Sequence, residues 1–198
     1  MQGQSAQQDC NTSGKLACFL DGASLNVMQE TLGLGKIHFP SLRNILSTRI
    51  GRGLPFLEDP VITVGTAHIN HLGNILLKSK FSPIAADSFQ KQDDQVLIDK
   101  IRAVKKAEVS KIIVVTSDKD LLPCLLAKAN EGIRILWVAV MSLADRDGSF
   151  GVGREVRAHF GKEIVGVPLE KYGQEITFKQ DSTPTSRCSR RQLLHRFR

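Results

Sequence analysis

The sequence predicts an α/β fold built on a doubly wound, mainly parallel sheet of about five strands with helices on both faces. The first observation is a series of short, continuous apolar runs, of which residues 112–115 are the clearest. Continuous β-branched runs of this length are typical of strands buried on both faces of a parallel sheet. The second observation is that segments with helical periodicity alternate with these runs. A chain of 198 residues is long enough for one such domain with short tails.

The predicted strands are apolar runs bounded by polar or turn-forming residues. The fourth is the most regular, because its apolar run breaks abruptly into Thr116, Ser117 and Asp118. Glycine, proline or acidic residues follow most of the other runs, as expected where a strand gives way to a turn. Strands are predicted over residues 16–20, 61–64, 83–86, 112–117 and 133–140, with residues 163–167 as a candidate last strand.

The predicted helices lie between the strands and have apolar residues three or four positions apart. In the first helix, Leu25, Met28 and Leu32 share one face. Acidic residues favour the first turn of a helix, so Asp93 and Asp94 predict the start of the fourth. Helices are predicted over residues 23–32, 39–46, 69–79, 93–107, 121–130 and 154–160.

One domain and two tails account for the whole chain. Residues 1–14 are rich in Gln and Ser, which predicts disorder. Residues 15–175 contain all predicted strands and helices, without an internal repeat. Residues 176–198 form a basic C-terminal tail. Its arginines either stay solvated or neutralise phosphates, and the sequence leaves both readings open; they are Arg187, Arg190, Arg191, Arg196 and Arg198.

The charge balance favours an anionic partner. Lys and Arg number 27 against 20 Asp and Glu, so the formal net charge is +7. Basic proteins bind polyanions, and nucleic acid is the preferred partner here over a membrane surface. No apolar run approaches the length of a transmembrane helix, so no membrane partner is expected.

The cysteines predict a reducing environment. Cys10, Cys18, Cys124 and Cys188 are scattered, and no pair has the C-x-x-C spacing of a zinc site. Cys18 and Cys124 lie in apolar runs and are expected to be small core residues. The first residues do not have the pattern of a signal peptide, and a cytoplasmic location is therefore the expectation.

Five aspartates lie where strands are predicted to end or helices to begin: Asp21, Asp93, Asp94, Asp118 and Asp120. If the first and fourth strands are neighbours, these carboxylates converge at one edge of the sheet. Clustered carboxylates repel one another, and a hard divalent cation such as Mg²⁺ or Mn²⁺ resolves that repulsion. A carboxylate cluster with such ions is a common apparatus for phosphodiester hydrolysis. The competing interpretation is that each aspartate merely caps a helix.

Other motifs have simpler interpretations. His68 and His71 are three residues apart and could share a helix face as metal ligands. No third ligand is nearby in the sequence, so polar surface histidines are the favoured interpretation. Trp137 lies inside the fifth predicted strand and is expected in the core rather than against a nucleobase.

Several motifs in order resemble the NYN domain of the PIN-like nuclease superfamily, nearest its LabA-like branch. Similarity extends over residues 16–160. The matching stretches are Phe19-Leu-Asp-Gly-Ala-Ser-Leu25 (an apolar strand followed by Asp-Gly-x-Asn-Leu), residues 34–46, Lys91-Gln-Asp-Asp-Gln-Val-Leu-Ile-Asp99, Thr116-Ser-Asp-Lys-Asp-Leu-Leu-Pro-Cys-Leu125 and Gly132-Ile-Arg-Ile135.

The resemblance implies a PIN-like fold and a metal-dependent ribonuclease, with internal cleavage of RNA as the expected mode. It makes Asp21, Asp93 and Asp118 the ligands of Mg²⁺ or Mn²⁺, with Asp94 and Asp120 beside them. Asp99 also matches an acidic residue of the family but lies about 120–140° around the helix from the Asp93–Asp94 pair.

The resemblance and the basic composition together also suggest residues that bind the substrate: Ser24, Asn26, Ser117, Arg49 and Arg52. Two of these depart from the family pattern, because Ser24 replaces an asparagine and Ser117 replaces a glycine. Three functions stay open at this point: a metal-dependent ribonuclease, a catalytically weak RNA-binding or regulatory protein, and a phosphatase acting on small phosphates. The oligomeric state also stays open, with a homodimer among the alternatives.

Overall fold

A six-stranded, entirely parallel β-sheet forms the centre of the fold. The computed structural model describes residues 14–86, 92–141 and 152–178. In chain order the strands are β1 (Lys15–Leu20), β2 (Val61–Gly65), β3 (Ser82–Ala86), β4 (Val109–Val115), β5 (Arg134–Ala139) and β6 (Ile164–Pro168). They lie side by side in the order β3–β2–β1–β4–β5–β6. The predicted doubly wound sheet is confirmed, and the candidate last strand belongs to it.

Helices connect successive strands. They are α1 (Gly22–Thr31), α2 (Phe39–Ile45), α3 (Ile69–Lys78), α4 (Gln92–Ala103), α5 (Leu122–Asn130) and α6 (Arg154–Arg157). Two boundaries differ from the prediction in a connected way. Helix α4 ends at Ala103 rather than near residue 107, and β4 begins at Val109 rather than Ile112. Val109 pairs with Lys15 of β1, and this pairing extends β4 toward its start. A pairing between two distant segments cannot be predicted from the residues of one of them.

The strand order reverses direction between β1 and β4. From β1 the chain moves outward through β2 to β3, and it then returns to begin β4 on the other side of β1. Crossovers between parallel strands are right-handed, so the helices of the two halves cover opposite faces. Helices α1 and α3 pack on β2, whereas α5 packs on β5 and on α4. In sheets of this kind, the carboxyl ends of the strands at the reversal form the ligand-binding crevice.

Strand β4 lies at the centre of the core, hydrogen-bonded to β1 on one side and β5 on the other. Its residues 112–115 are fully buried, as the continuous apolar run predicts. Trp137 of β5 is also fully buried, so its interpretation as a core residue is confirmed. Cys18 and Cys124 are buried free thiols, as expected, and burial raises the pKa of Cys18 far above its ordinary value. Cys18 therefore stays a neutral packing residue.

Packing against the domain continues to Phe178, three residues beyond the predicted domain end. Ile176 is fully buried, and its carbonyl oxygen accepts a hydrogen bond from the His38 amide at 2.7 Å. The Phe178 amide donates to the Lys36 carbonyl at 3.1 Å. The predicted disorder near the N-terminus (residues 1–13), most of the long loop after β5 and the arginine-rich tail lie outside the described residues. Within the described ranges, every helix is too short or too polar to cross a membrane.

Gly22 allows the start of α1 to approach β2. A Cβ atom at this position would lie 2.0 Å from the carbonyl oxygen of Thr63. The Gly22 amide also donates to the Thr63 hydroxyl at 3.2 Å. Because a backbone atom rather than a flexible side chain fills the space, a methyl group here displaces β2 or α1.

We expect Gly22→Ala to lower the free energy of unfolding by roughly 1–3 kcal/mol or more, the range typical of overpacking. Gly35→Ala is the matched control, because nothing lies within 4 Å of its Cβ position. Urea unfolding of both variants checks the prediction. Equal stability of the two variants would show that the approach of α1 to β2 is not tight.

Candidate metal centre

The predicted aspartates all lie at the carboxyl edge of the sheet, around the ends of β1 and β4. Asp21 directly follows β1, and Asp118 and Asp120 follow β4. Leu20 and Val115 are paired in register, and the Asp21 amide donates to the Val115 carbonyl at 3.0 Å. The condition for convergence, that the first and fourth strands are neighbours, is therefore met. Asp93 and Asp94 reach the same edge from the first turn of α4.

The closest group consists of Asp94, Asp118 and Asp120. One carboxylate oxygen from each lies within 4.8 Å of the other two, so these residues can hold a metal ion. This trio shares only Asp118 with the ligand set that the resemblance implies. Asp21 and Asp93 lie close enough to affect the cluster electrostatically but do not belong to this closest group.

Asp21 is a buried structural carboxylate at the start of α1. Its Oδ1 accepts from the amides of Ala23 and Ser24 at 3.0 and 3.1 Å. Its Oδ2 accepts from the hydroxyls of Ser24 and Thr116. A carboxylate offers about four lone-pair sites, so these bonds occupy its accepting capacity. The helix-capping interpretation therefore describes Asp21, and a metal bond from it would require one of these donors to leave.

Thr116 connects Asp21 to Asp118. Its hydroxyl donates to Asp21 Oδ2 at 3.1 Å and accepts from the Asp118 amide at 2.9 Å. Its carbonyl accepts from the indole of Trp137 at 2.8 Å, and the residue is fully buried. Sequence analysis did not include Thr116 among the site residues. The available signal was its position between an apolar strand and the first aspartate after it.

The hydroxyls of Ser24 and Ser117 extend this network. Ser24 Oγ lies 3.2 Å from the Thr116 hydroxyl, and Ser117 Oγ donates to Ser24 Oγ at 3.1 Å. Ser24 is buried, so it supports Asp21 rather than facing solvent. Asn26 is exposed on α1, and its amide nitrogen donates to Glu30 Oε1 at 3.1 Å. Asn26 therefore does not take the place of the family asparagine within this network.

Burial and mutual repulsion raise the pKa of two aspartates. The pKa of Asp94 rises from 3.8 to about 7, first because of burial and then because of the neighbouring Asp118, Asp93, Asp21 and Asp120. The pKa of Asp93 is also raised, mainly by burial, although the Asp94 amide that donates to it at 3.0 Å opposes the effect. The site is therefore short of positive charge, which is the condition that a bound cation relieves.

Arg52 lies near the amino end of the sheet, away from the acids, and Arg49 is three residues before it in the chain. The carbonyl of Gly51, between them, accepts from Lys111 Nζ near the start of β4 at 3.2 Å. Asp118 is seven residues farther along the chain, which is about 20 Å of extended strand. Arg49 forms a 3.8 Å ion pair with Glu175. The sequence alone does not define how the loop before β2 folds back along the sheet.

His68 and His71 are exposed residues at the start of α3. Within the described part of the chain, neither belongs to a group of three residues that could hold a metal ion. Their interpretation as surface histidines agrees with this placement.

Comparison with known proteins identifies no relative of this chain. No protein-family model, no curated protein and no solved structure matches the chain. The assignment of the centre therefore depends on its geometry and electrostatics.

We expect the stability of the metal-free protein to fall as the pH rises from about 4 to about 7. In the folded state Asp94 retains its proton up to about pH 7, whereas its ordinary pKa is 3.8. Protonation therefore favours the folded state, and the gain is lost as the group ionises. Asp94→Asn removes this titration, so the metal-free variant should exceed the parent protein in stability above about pH 7.

Urea unfolding with a chelator at about pH 5 and about pH 8 measures this difference. Asp99→Asn provides the control, because Asp99 is an exposed acid on the same helix, hydrogen-bonded to Gln95. Its effect should not change with pH in the same way. An Asp94→Asn variant that is less stable than the parent at about pH 8 would contradict the repulsion described here.

We expect Thr116→Val to destabilise the protein by about 1–3 kcal/mol, because it removes one of the two donors to Asp21 Oδ2 and leaves the Asp118 amide without its acceptor. Thr116→Ser keeps the hydroxyl and should lose less stability. Thermal unfolding of both variants gives the comparison. Equal losses would indicate that methyl packing, rather than the hydroxyl bridge, is the contribution of Thr116.

Proposed function

We propose that this protein is a divalent-metal-dependent nuclease that hydrolyses phosphodiester bonds in RNA. The observation that supports this most directly is the convergence of Asp94, Asp118 and Asp120 within 4.8 Å at the reversal of the strand order. The net charge of +7 favours a polyanionic substrate, and the resemblance to NYN domains favours RNA. The location at a sheet crevice matches where α/β proteins act on their ligands.

The donor set fits Mg²⁺ or Mn²⁺. Three carboxylates provide hard oxygen ligands, which these ions prefer, and the raised pKa of Asp94 indicates an unmet need for positive charge. We assign Asp94, Asp118 and Asp120 as the residues that hold the ion, with Asp93 beside them. When bound, a divalent ion at such a site activates water and stabilises charge on the phosphate oxygens.

The residues of the chain prepare the site in defined ways. Asp21 and Thr116 fix the end of β4, and the Asp120 amide donates to Asp118 Oδ1 at 2.9 Å. Asp118 therefore has a defined orientation before any ion binds. The acids repel a phosphodiester, so RNA can approach the centre only when a cation offsets their charge. Activity should for this reason depend strictly on a divalent ion.

The saturation of Asp21 favours a second candidate, a catalytically weak RNA-binding or regulatory protein on the same fold. The resemblance implies that Asp21 is a ligand, yet hydrogen bonds occupy both of its oxygens. A site with one ligand fewer can bind RNA or a metal without efficient hydrolysis. Metal binding and cleavage must therefore be measured separately.

We expect Mn²⁺ or Mg²⁺ to raise the melting temperature of the parent protein and to permit cleavage of single-stranded RNA. An ion at a hundred times its dissociation constant stabilises a folded protein by about 2.7 kcal/mol. Asp118→Asn should remove most of this stabilisation. It should also reduce cleavage by more than the ~10–100-fold loss typical of changing a residue that only supports a ligand.

Asp99→Asn, which removes an exposed acid of the same helix outside the cluster, should retain both properties. Cleavage that survives a chelator would refute the proposed mechanism. Stabilisation by the ion without any cleavage would favour the regulatory candidate. Equal stabilisation of the parent and Asp118→Asn would place the ion elsewhere on the protein.

A further inference from the structure

A groove of about 630 Å³ opens beside the acidic cluster, at the carboxyl end of β2 between α1 and α3. Apolar side chains form most of its walls, and Asp93 lines it where it approaches the cluster. The volume falls within the ~300–1,000 Å³ typical of small-ligand sites. The apolar walls include Leu25, Phe39, Leu72, Ile75 and Phe178.

The groove exposes apolar surface that the domain does not cover. Among the described residues, the large hydrophobic side chains left exposed are Ile75, Leu77 and Phe178, and two of these line the groove. Phe178 is 55% exposed, and its ring packs edge-on against His38 with 4.7 Å between centroids. Exposed apolar residues gathered in a concave site indicate a ligand.

The polar residues of the groove are cationic or neutral except for Asp93. Lys36, His68 and His71 line it together with the amide side chain of Gln29. Apolar and aromatic walls suit the faces of a nucleobase, amide and imidazole groups suit its edges, and a lysine suits a phosphate. A purely apolar ligand would leave these polar groups without a role.

We propose that this groove receives an unpaired nucleobase of a single-stranded RNA whose adjacent phosphate lies at the Asp94–Asp118–Asp120 cluster. The inference rests on the proposed function and adds to it a substrate class. Asp93 lines the groove and is adjacent in sequence to Asp94, so the groove and the cluster adjoin each other. A paired base is stacked and hydrogen-bonded within its helix, so a duplex cannot place a base in the groove.

Binding of a single-stranded octaribonucleotide to the full-length protein is measured with Ca²⁺ in place of Mg²⁺ or Mn²⁺, so that a hard cation offsets the charge of the cluster. Gel electrophoresis of the RNA after each measurement checks that it stays intact. Each base is replaced in turn by an abasic ribose, and a duplex of the same sequence is measured in parallel. The variants are Phe178→Ala, Ile75→Ala and the control Leu77→Ala. Leu77 is 59% exposed on the same helix but does not line the groove.

We expect Phe178→Ala to weaken single-strand binding about tenfold, the effect of losing one base–aromatic contact. Ile75→Ala should weaken it to a smaller degree, because it removes an apolar part of the groove wall. Leu77→Ala and all duplex affinities should change little. One abasic position should cause a similar loss in the parent protein but little further loss in Phe178→Ala, because both changes remove the same contact. Unchanged melting temperatures exclude unfolding as the cause.

The proposal is overturned if no abasic position matters, if the losses simply add, or if duplex binding falls equally. It is also overturned if Phe178→Ala converts a dimer to a monomer in sedimentation, since a second copy would then occupy the groove. A variant in which the tail arginines are replaced by glutamine tests whether the tail of the chain occupies the groove. Higher RNA affinity of this variant, together with no additional effect of Phe178→Ala in it, would overturn the proposal. The expected binding pattern without cleavage under any metal would refute the nuclease function but support the groove assignment.

Discussion

The buried carboxylate of Asp21 is the interaction on which the arrangement of the centre depends. Two backbone amides of α1 and two hydroxyls converge on it, and one of these hydroxyls belongs to Thr116 at the end of β4. The same threonine hydroxyl accepts from the Asp118 amide. One side chain therefore links the first strand, the first helix and the acidic turn after the central strand. A buried carboxylate is tolerated only when it is bonded in this way.

The aspartates of the centre are of two kinds: one is a hydrogen-bonded structural carboxylate, and the others repel one another. Asp21 has donors for both oxygens, whereas Asp94 is buried beside four other acids and its pKa rises to about 7. The folded state therefore contains an unfavourable charge cluster at the point where the strand order reverses. Natural proteins retain such strain at functional sites when the rest of the fold compensates for it. Here the fully buried run of β4 and the Trp137 bond to Thr116 lie directly before the acidic turn.

The fold could be predicted from local sequence patterns, because each strand of a parallel sheet that is buried on both faces is a continuous apolar run. The location of the site could also be predicted, because residues directly after parallel strands must meet at one edge of the sheet. The roles of the individual aspartates could not be predicted from the sequence. Asp93 and Asp94 are adjacent in the chain, and only the orientation of α4 decides which one faces Asp118. The saturation of Asp21 also depends on Thr116, which is 95 residues away. The position of Arg52 could not be predicted from the sequence, because the path of its loop is set by tertiary contacts such as the Lys111–Gly51 bond.

The distribution of charge bears on how an RNA would be held. Lys111, Arg52 and Arg134 lie at the amino end of the sheet, where burial and then repulsion from the two arginines lower the pKa of Lys111. The acids lie at the carboxyl end, about one strand length away. Among the described residues, the cationic side chains of the groove beside the acids are Lys36 and, when protonated, two histidines. Between two of the cluster aspartates, Lys119 forms a 3.4 Å ion pair with Glu155. If the domain binds RNA as we propose, a bound cation would hold the phosphate at the aspartates and apolar contact would hold a base in the groove.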